Sequence, residues 1–327
     1  MPDREITFAA AVREALAEEM RRDSRVCIFG EDVAEAGTPF KVLSGLVEEF
    51  GSERVIDTPI SEAGFTGIGV GAAMTGLRPV VDIMFGDFIT LTMDQMVNQA
   101  AKAHYMSGGH WNVPMVMRTT LGATRRSAAQ HSQSLHAWFS HIPGLKVVLP
   151  STPYDAKGLL KTAIRDQNPV VFFEDKMMYK LKGRVPDGDY TIPLGVADIK
   201  RQGDDITLVA TSSMVQIALS AATLLEKEGV SAEVVDPRTT WPLDEKTIID
   251  SAKKTSRAIV LDEGYGRYGV TSEIAAVIAE GAFYDLDAPV KRMGAMHVPI
   301  PFSPPLEDVT VPTEETVFEA ARAMCGK

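Results

Sequence analysis

Residues 7–30 read TFAAAVREALAEEMRRDSRVCIFG, and the change of period within them decides the fold. Thr7 offers a hydroxyl at a helix N-terminus, and Phe8, Val12, Ala15, Leu16 and Met20 then fall on one helical face. After Arg25 that period stops. Val26-Cys27-Ile28-Phe29 is a continuous apolar run of the kind a parallel strand covered on both faces requires. Outward from this unit the alternation recurs, with apolar runs at 54–57, 79–85, 113–118, 146–149 and 170–173 and helical stretches at 40–50, 61–76, 88–106, 134–140 and 153–165. The pattern predicts six strands in one mostly parallel sheet, hence an α/β class.

Between 176 and 203 the periodicity lapses among Gly183, Pro186, Gly188, Pro193 and Gly203. The expected organisation is a first domain at 1–180, a linker at 181–203 and a smaller αβ domain at 204–327. In the second domain, strands are expected at 206–210, 232–235, 258–261 and 290–293, and a last helix from Glu314. The proline-rich stretch 298–305 reads as a fixed surface loop.

With 327 residues, 45% of them hydrophobic, the chain can fill two cores, which excludes a disordered protein. A net charge of -11 opposes binding to nucleic acid. Positions 205–327 hold 19 acidic against 11 basic side chains, so the second domain suits a basic partner. Two cysteines give neither a disulfide framework nor a metal cluster, and a reducing cytoplasmic setting is expected. The N-terminus has the wrong composition for a signal or transit peptide, and no apolar stretch is long enough for a membrane span.

Several stretches admit both a structural and a chemical reading. Gly67-Ile-Gly69-Val-Gly71-Ala72 matches a loose dinucleotide fingerprint. It lies inside a helical stretch, however, where Gly64, Gly67 and Gly71 make a close-packing face instead. His131, His136 and His141 recur every five residues, which rotates each about 140° from the last and opposes a shared zinc ion. His131 sits in a polar loop beside Gln130, Ser132 and Gln133, a setting that can orient an imidazole for proton transfer. Ser61 and Glu62 can cap a helix and complement its dipole; equally, Glu62 can be a carboxylate at the C-terminal edge of a parallel sheet, where Gly30-Glu31-Asp32 also ends a strand. Phe85 and Phe88 can be core or can stack on a planar ring. The stretch 163–169 can be a helix stop before Pro169 or a ring of carbonyls for a monovalent cation.

Taken in order, DTPISEAGFTGIGVGAAMTGLRPVVDIMF (57–85), QAAKAHYMSGG (99–109), AAQHSQSLHAWFSHIPGLKVVLPSTPYDAKGLLKTAIRDQNPVVFFE (128–174) and LDEGYGRYG (261–269) resemble the beta subunits of thiamine-diphosphate-dependent 2-oxo acid dehydrogenases. TTLGA followed by QHSQSLHAWF looks most like the acetoin branch, with the pyruvate and branched-chain versions next. The resemblance implies a transketolase-like pair of domains, a pyrimidine-binding one and a C-terminal one, assembled with alpha subunits as an α2β2 heterotetramer. It implies that the chain, with its alpha partner, is an oxidoreductase that cleaves acetoin or decarboxylates a 2-oxo acid and passes the acyl unit to a lipoyl group of an acyltransferase core. Thiamine diphosphate would be shared, its diphosphate and magnesium held by alpha, whose GDG and following asparagine are missing here.

By the same resemblance Glu62 bonds the aminopyrimidine N1′, Phe88 stacks on that ring, and His131 handles protons during transfer to the lipoyl group. Met115, Ala163, Ile164, Asp166 and Asn168 match positions that bind a structural potassium ion. Arg125 and Arg126 depart from the pyruvate pattern and read as a solvated pair, and Gly294–Pro299 lacks an acidic residue usual near the docking region. A non-catalytic structural subunit and a two-chain transketolase are the rival readings.

Overall fold

The computed structural model describes residues 3–326, which pack as two units. The first unit runs to Leu121 and resumes at Trp138–Leu194; the second takes Gly122–Ala137 and everything from Gly195 on. The loop with His131 is therefore part of the second unit, although a reading in sequence order assigns it to the first. Met1, Pro2 and Lys327, the ends of the expected domains, lie outside the described residues.

Along the chain come β1 (Asp3–Thr7), α1 (Phe8–Arg22), β2 (Val26–Gly30), α2 (Leu46–Phe50), β3 (Val55–Asp57), α3 (Glu62–Met74), β4 (Arg78–Ile83), α4 (Ala101–Met106), β5 (Val116–Leu121), α5 (His136–Ser140), β6 (Lys146–Val148), α6 (Pro153–Arg165), β7 (Val170–Asp175) and β8 (Lys182–Pro186). They continue as β9 (Asp198–Arg201), β10 (Ile206–Ala210), α7 (Met214–Lys227), β11 (Ala232–Asp236), β12 (Thr239–Trp241), α8 (Glu245–Thr255), β13 (Ala258–Tyr265), α9 (Val270–Ala282), β14 (Lys291–Ala295), α10 (Pro304–Glu307) and α11 (Glu314–Met324). No helix among the described residues is long and apolar enough to cross a membrane.

The sheet of the first unit has the order β6-β7-β5-β4-β2-β3, with every neighbouring pair parallel. Its strands are the six that the apolar runs predict. Thr7 caps α1 by accepting the Ala10 N–H at 3.1 Å, and the predicted face of α1 is buried against the sheet and α6. At that seam Lys157 and Lys161, almost fully buried, bond Glu14 and Glu18 of α1. Their stems bury as apolar chains while the ammonium groups stay paired.

Three differences from the expected elements have local causes. Within 181–203, expected as a linker, β8 pairs antiparallel with β1, and β9 joins the second sheet. These strands are polar and partly exposed, so they are held by backbone pairing that leaves no apolar period to read. The stretch expected as one helix at 88–106 is a 3-10 turn (Gly86–Thr92), a π turn (Asp94–Ala100) and then α4. In α3, Gly69 makes the close approach, since a Cβ there would lie 2.6 Å from Val81 Cγ2. Of the expected packing face Gly64, Gly67 and Gly71, Gly64 and Gly71 are exposed and Gly67 is partly buried.

In the second unit the sheet order is β14-β13-β10-β11-β9, parallel except for β9 at the edge. α7 and α11 cover one apolar cluster, and α8 and α9 cover another.

Inside the first sheet Arg118 of β5 reaches both neighbouring strands. Its Nε and Nη2 donate to Glu174 of β7 at 2.6 and 2.7 Å, and Nη1 pairs with Asp82 of β4. All three side chains are buried, so removing the guanidinium strands two carboxylates in a low dielectric. Arg118→Met is expected to cost about 3–5 kcal/mol in guanidinium denaturation. A loss below about 1 kcal/mol would show that the sheet does not depend on this contact.

Candidate active site

β2, β3 and β4 end at Gly30, Asp57 and Ile83 along one edge, and the segments that leave them carry the candidate residues. Glu31 follows β2 directly. Glu62 is the first residue of α3, with its backbone at the positive end of the helix dipole. Ser61 precedes it without making a side-chain cap, so of the structural explanations the dipole applies and the cap does not. Glu62 is buried to 7% exposure and Glu31 to 8%.

Glu31 Oε1 is buried without a hydrogen-bond partner among the described residues. Burial, and then the negative charges of Glu62, Asp32 and Asp82, push the Glu31 carboxyl above its usual range. A buried carboxyl raised in this way at a sheet edge suits a site that takes up or passes a proton.

Phe88 lies in the 3-10 turn that packs on α3. Its ring meets Phe85 edge to face, with centroids 6.1 Å apart, and Phe85 meets Phe40 similarly at 5.7 Å. The rings of Phe85 and Phe88 thus form a cluster with Phe40 and remain half-buried. The structure brings Glu62, Glu31 and Phe88 to the same edge of the first unit.

His131 is carried by the second unit, on a loop where its N–H donates to Ala128 O at 3.4 Å. His136, five residues on, is buried with Nε2 3.1 Å from Asp262 Oδ2. Arg126, expected as half of a solvated pair, instead bonds the buried Glu307 at 2.7 Å. Sequence reasoning assigned no role to Asp262, Glu263 or Glu307. The first two stand in the LDEGYGRYG block, which is where a sequence signal for them lies.

Among the expected potassium positions, Ile164 and Asp166 lie at Arg78. Its Nη1 donates at 2.9 Å to both Ile164 O and Asp166 O. Met115 O accepts from Val170 N, Ala163 O from Asp166 N, and the Asn168 N–H donates to Asp166 Oδ1. Each of these carbonyl oxygens keeps a second lone pair. Among the described residues no group of three or more His, Cys, Asp or Glu side chains is arranged to hold a metal ion.

This architecture defines a class. Residues 4–182 match the model of the transketolase pyrimidine-binding domain, and residues 195–317 match that of the transketolase C-terminal domain. The fold is shared with a chain described as a split-gene transketolase, inactive beta4 tetramer, at a TM-score of 0.80 over 98% of both chains with 21% identity. Among curated proteins the chain is 51% identical to the acetoin:2,6-dichlorophenolindophenol oxidoreductase subunit beta of Bacillus subtilis, over 99% of this chain and 98% of that one. It is 47% identical to the 2-oxoisovalerate dehydrogenase subunit beta of the same organism, over 98% of each. Identity is 48% to the pyruvate dehydrogenase E1 component subunit beta of Rhizobium meliloti, over 98% of this chain and 70% of that one. The chain belongs to this family of acetoin and 2-oxo acid dehydrogenase beta subunits.

The raised Glu31 carboxyl gives a signed expectation for the protein without ligand. A carboxyl whose folded pKa is raised contributes stability below its unfolded pKa and loses that contribution as pH rises through the folded value. Glu31→Gln should therefore raise the melting temperature at neutral pH, and the gain should vanish as pH falls to the ordinary carboxylate range. Differential scanning fluorimetry across pH checks this, and a neutral or negative effect at pH 7 contradicts the assigned burial.

Proposed function

We propose that this chain is the beta half of the first component of a thiamine-diphosphate-dependent dehydrogenase that cleaves acetoin and passes the acyl unit to a lipoyl group. Pyruvate or a branched-chain 2-oxo acid is the alternative substrate. The observation that carries this reading is the buried Glu62 carboxylate at the start of α3, next to the charge-sensitive Glu31 and the half-buried Phe88. When bound, thiamine diphosphate supplies the carbanion chemistry for breaking a bond beside a carbonyl.

Glu62 bonds the aminopyrimidine N1′ and holds the proton exchanged there; its burial strengthens that bond by excluding water. Phe88 supports the face of the ring, as an aromatic side chain with a half-exposed surface can. Glu31, whose carboxyl is raised by burial and by the neighbouring negative charges, lines the same edge beside Glu62. His131 handles the proton of the acyl-transfer step. The diphosphate and its magnesium are assigned to an alpha subunit, in an α2β2 assembly. Exposed apolar side chains in the first unit support a partner chain: Ile60 and Ile68 flank and lie on α3, while Tyr105, Met106 and Trp111 lie on or just after α4. The acidic second domain suits a basic binding module of the acyltransferase core. The carbonyls of Met115, Ala163, Ile164, Asp166 and Asn168 are proposed to hold a potassium ion beside Arg78, through the lone pairs that the hydrogen bonds leave.

A purely structural subunit gains nothing from burying Glu62 beside a second carboxylate, and that distinguishes it from the catalytic reading. Co-produced with its alpha partner, Glu62→Gln should assemble normally and lose roughly 100-fold or more in turnover of acetoin with a dye acceptor. Near-normal turnover would defeat the catalytic assignment. In the unaltered complex, a preference for pyruvate would transfer the reading to the alternative substrate, and activity on sugar phosphates without lipoyl dependence would transfer it to a transketolase.

A further inference from the structure

The loop 122–136 contains few large apolar residues, so it cannot anchor itself by burial. It also has an unfavourable backbone. Thr124, Arg126 and Ala128 all have positive φ, at 67°, 60° and 61°, a region that costs a non-glycine residue about 1–2 kcal/mol each. Such a conformation persists only where its surroundings determine it.

Three buried carboxylates of the same unit supply that determination. Glu307, at the end of α10 and fully buried, accepts the Thr124 N–H at 2.7 Å on Oε1. On Oε2 it accepts the Arg126 N–H at 3.2 Å and the Arg126 guanidinium at 2.7 Å. The alternation of positive φ points successive N–H groups inward, which makes the concavity that an anion fills. Glu263, on β13, accepts the Ala123 N–H at 2.6 Å. At the other end of the loop, Asp262 Oδ2 lies 3.1 Å from His136 Nε2, and the same carboxylate accepts the Gly264 N–H at 2.8 Å and the Thr211 hydroxyl. Burial works to raise the Asp262 carboxyl, but the His136 imidazole and these donors outweigh it and hold the carboxyl below its usual range. The loop is therefore fixed by charge on both sides of His131.

We propose that Asp262, Glu263 and Glu307 form a clamp whose role is to place His131, and that they are positioning residues for transfer of the acyl unit to the lipoyl group. The proposal rests on the reading of His131 given above. It gives the LDEG block a function within the chain. A clamp of charge-assisted bonds to backbone N–H groups fixes a loop without side-chain bulk, leaving the loop's outer surface available for an incoming acceptor.

The test compares two acceptors in the assembled complex: a lipoylated acyltransferase domain, and 2,6-dichlorophenolindophenol, which bypasses the step assigned to His131. Glu307→Gln keeps the shape of the side chain and removes its charge, and Asp262→Asn does the same at the other end of the loop. Both are expected to lose roughly ten- to a hundred-fold in lipoyl transfer, the scale of a 1 Å misplacement, while dye reduction stays within about twofold. Equal losses with both acceptors would show that the carboxylates only support the fold and would overturn the proposal. Unchanged lipoyl transfer in both variants, with His131→Ala inactive in transfer, would overturn the clamp and leave the reading of His131 standing. Normal transfer by His131→Ala would overturn both.

Discussion

Arg118 is the contact on which the first unit turns. A parallel sheet covered on both faces is held by backbone pairing and apolar burial, neither of which fixes how adjacent strands end relative to each other. A guanidinium on the central strand, bonded bidentately to Glu174 on one side and paired with Asp82 on the other, ties β4, β5 and β7 in one register. Burial raises the Asp82 and Glu174 carboxyls and the guanidinium works against it, so each charge is tolerable only with the others in place. The ends of those strands then project the segments that carry Phe88 and, through the neighbouring β2 and β3, Glu31 and Glu62.

Much of this was legible in the residues. The six apolar runs became the six strands of the first sheet because buried strands must be apolar throughout, and α1 followed from one hydroxyl cap and a period of 3.6. The pair β1 and β8 was not legible, because polar edge strands satisfy their backbone without any apolar signature. Nor was the partition of the loop 122–137. That loop belongs with Glu263 and Glu307, roughly 140 and 180 positions later, and a single sequence carries no record of such pairing. Arg126 was misread for the same reason, since a surface pair and an arginine bonded to a distant buried glutamate look alike from their neighbours.

The candidate site was legible in a different way. Local residues left Glu62 divided between a helix-end role and a chemical one, and the long ordered blocks of resemblance supplied the second. The structure adds what neither could give: Glu62 and Glu31 are both buried at one edge, and the Glu62 charge is among the causes that raise the Glu31 carboxyl. A helix dipole explains one acidic residue at a helix start but does not explain a second one buried beside it. Their proximity is the physical basis for treating Glu62 as a group that moves a proton.

The most direct measurement is the exchange of the thiazolium C2 proton of thiamine diphosphate for deuterium in the assembled complex, followed by NMR after acid quench. With Glu62 intact the account predicts exchange accelerated by orders of magnitude over free cofactor, and with Glu62→Gln it predicts loss of about 100-fold or more of that acceleration. Equal exchange rates in the two proteins would contradict it.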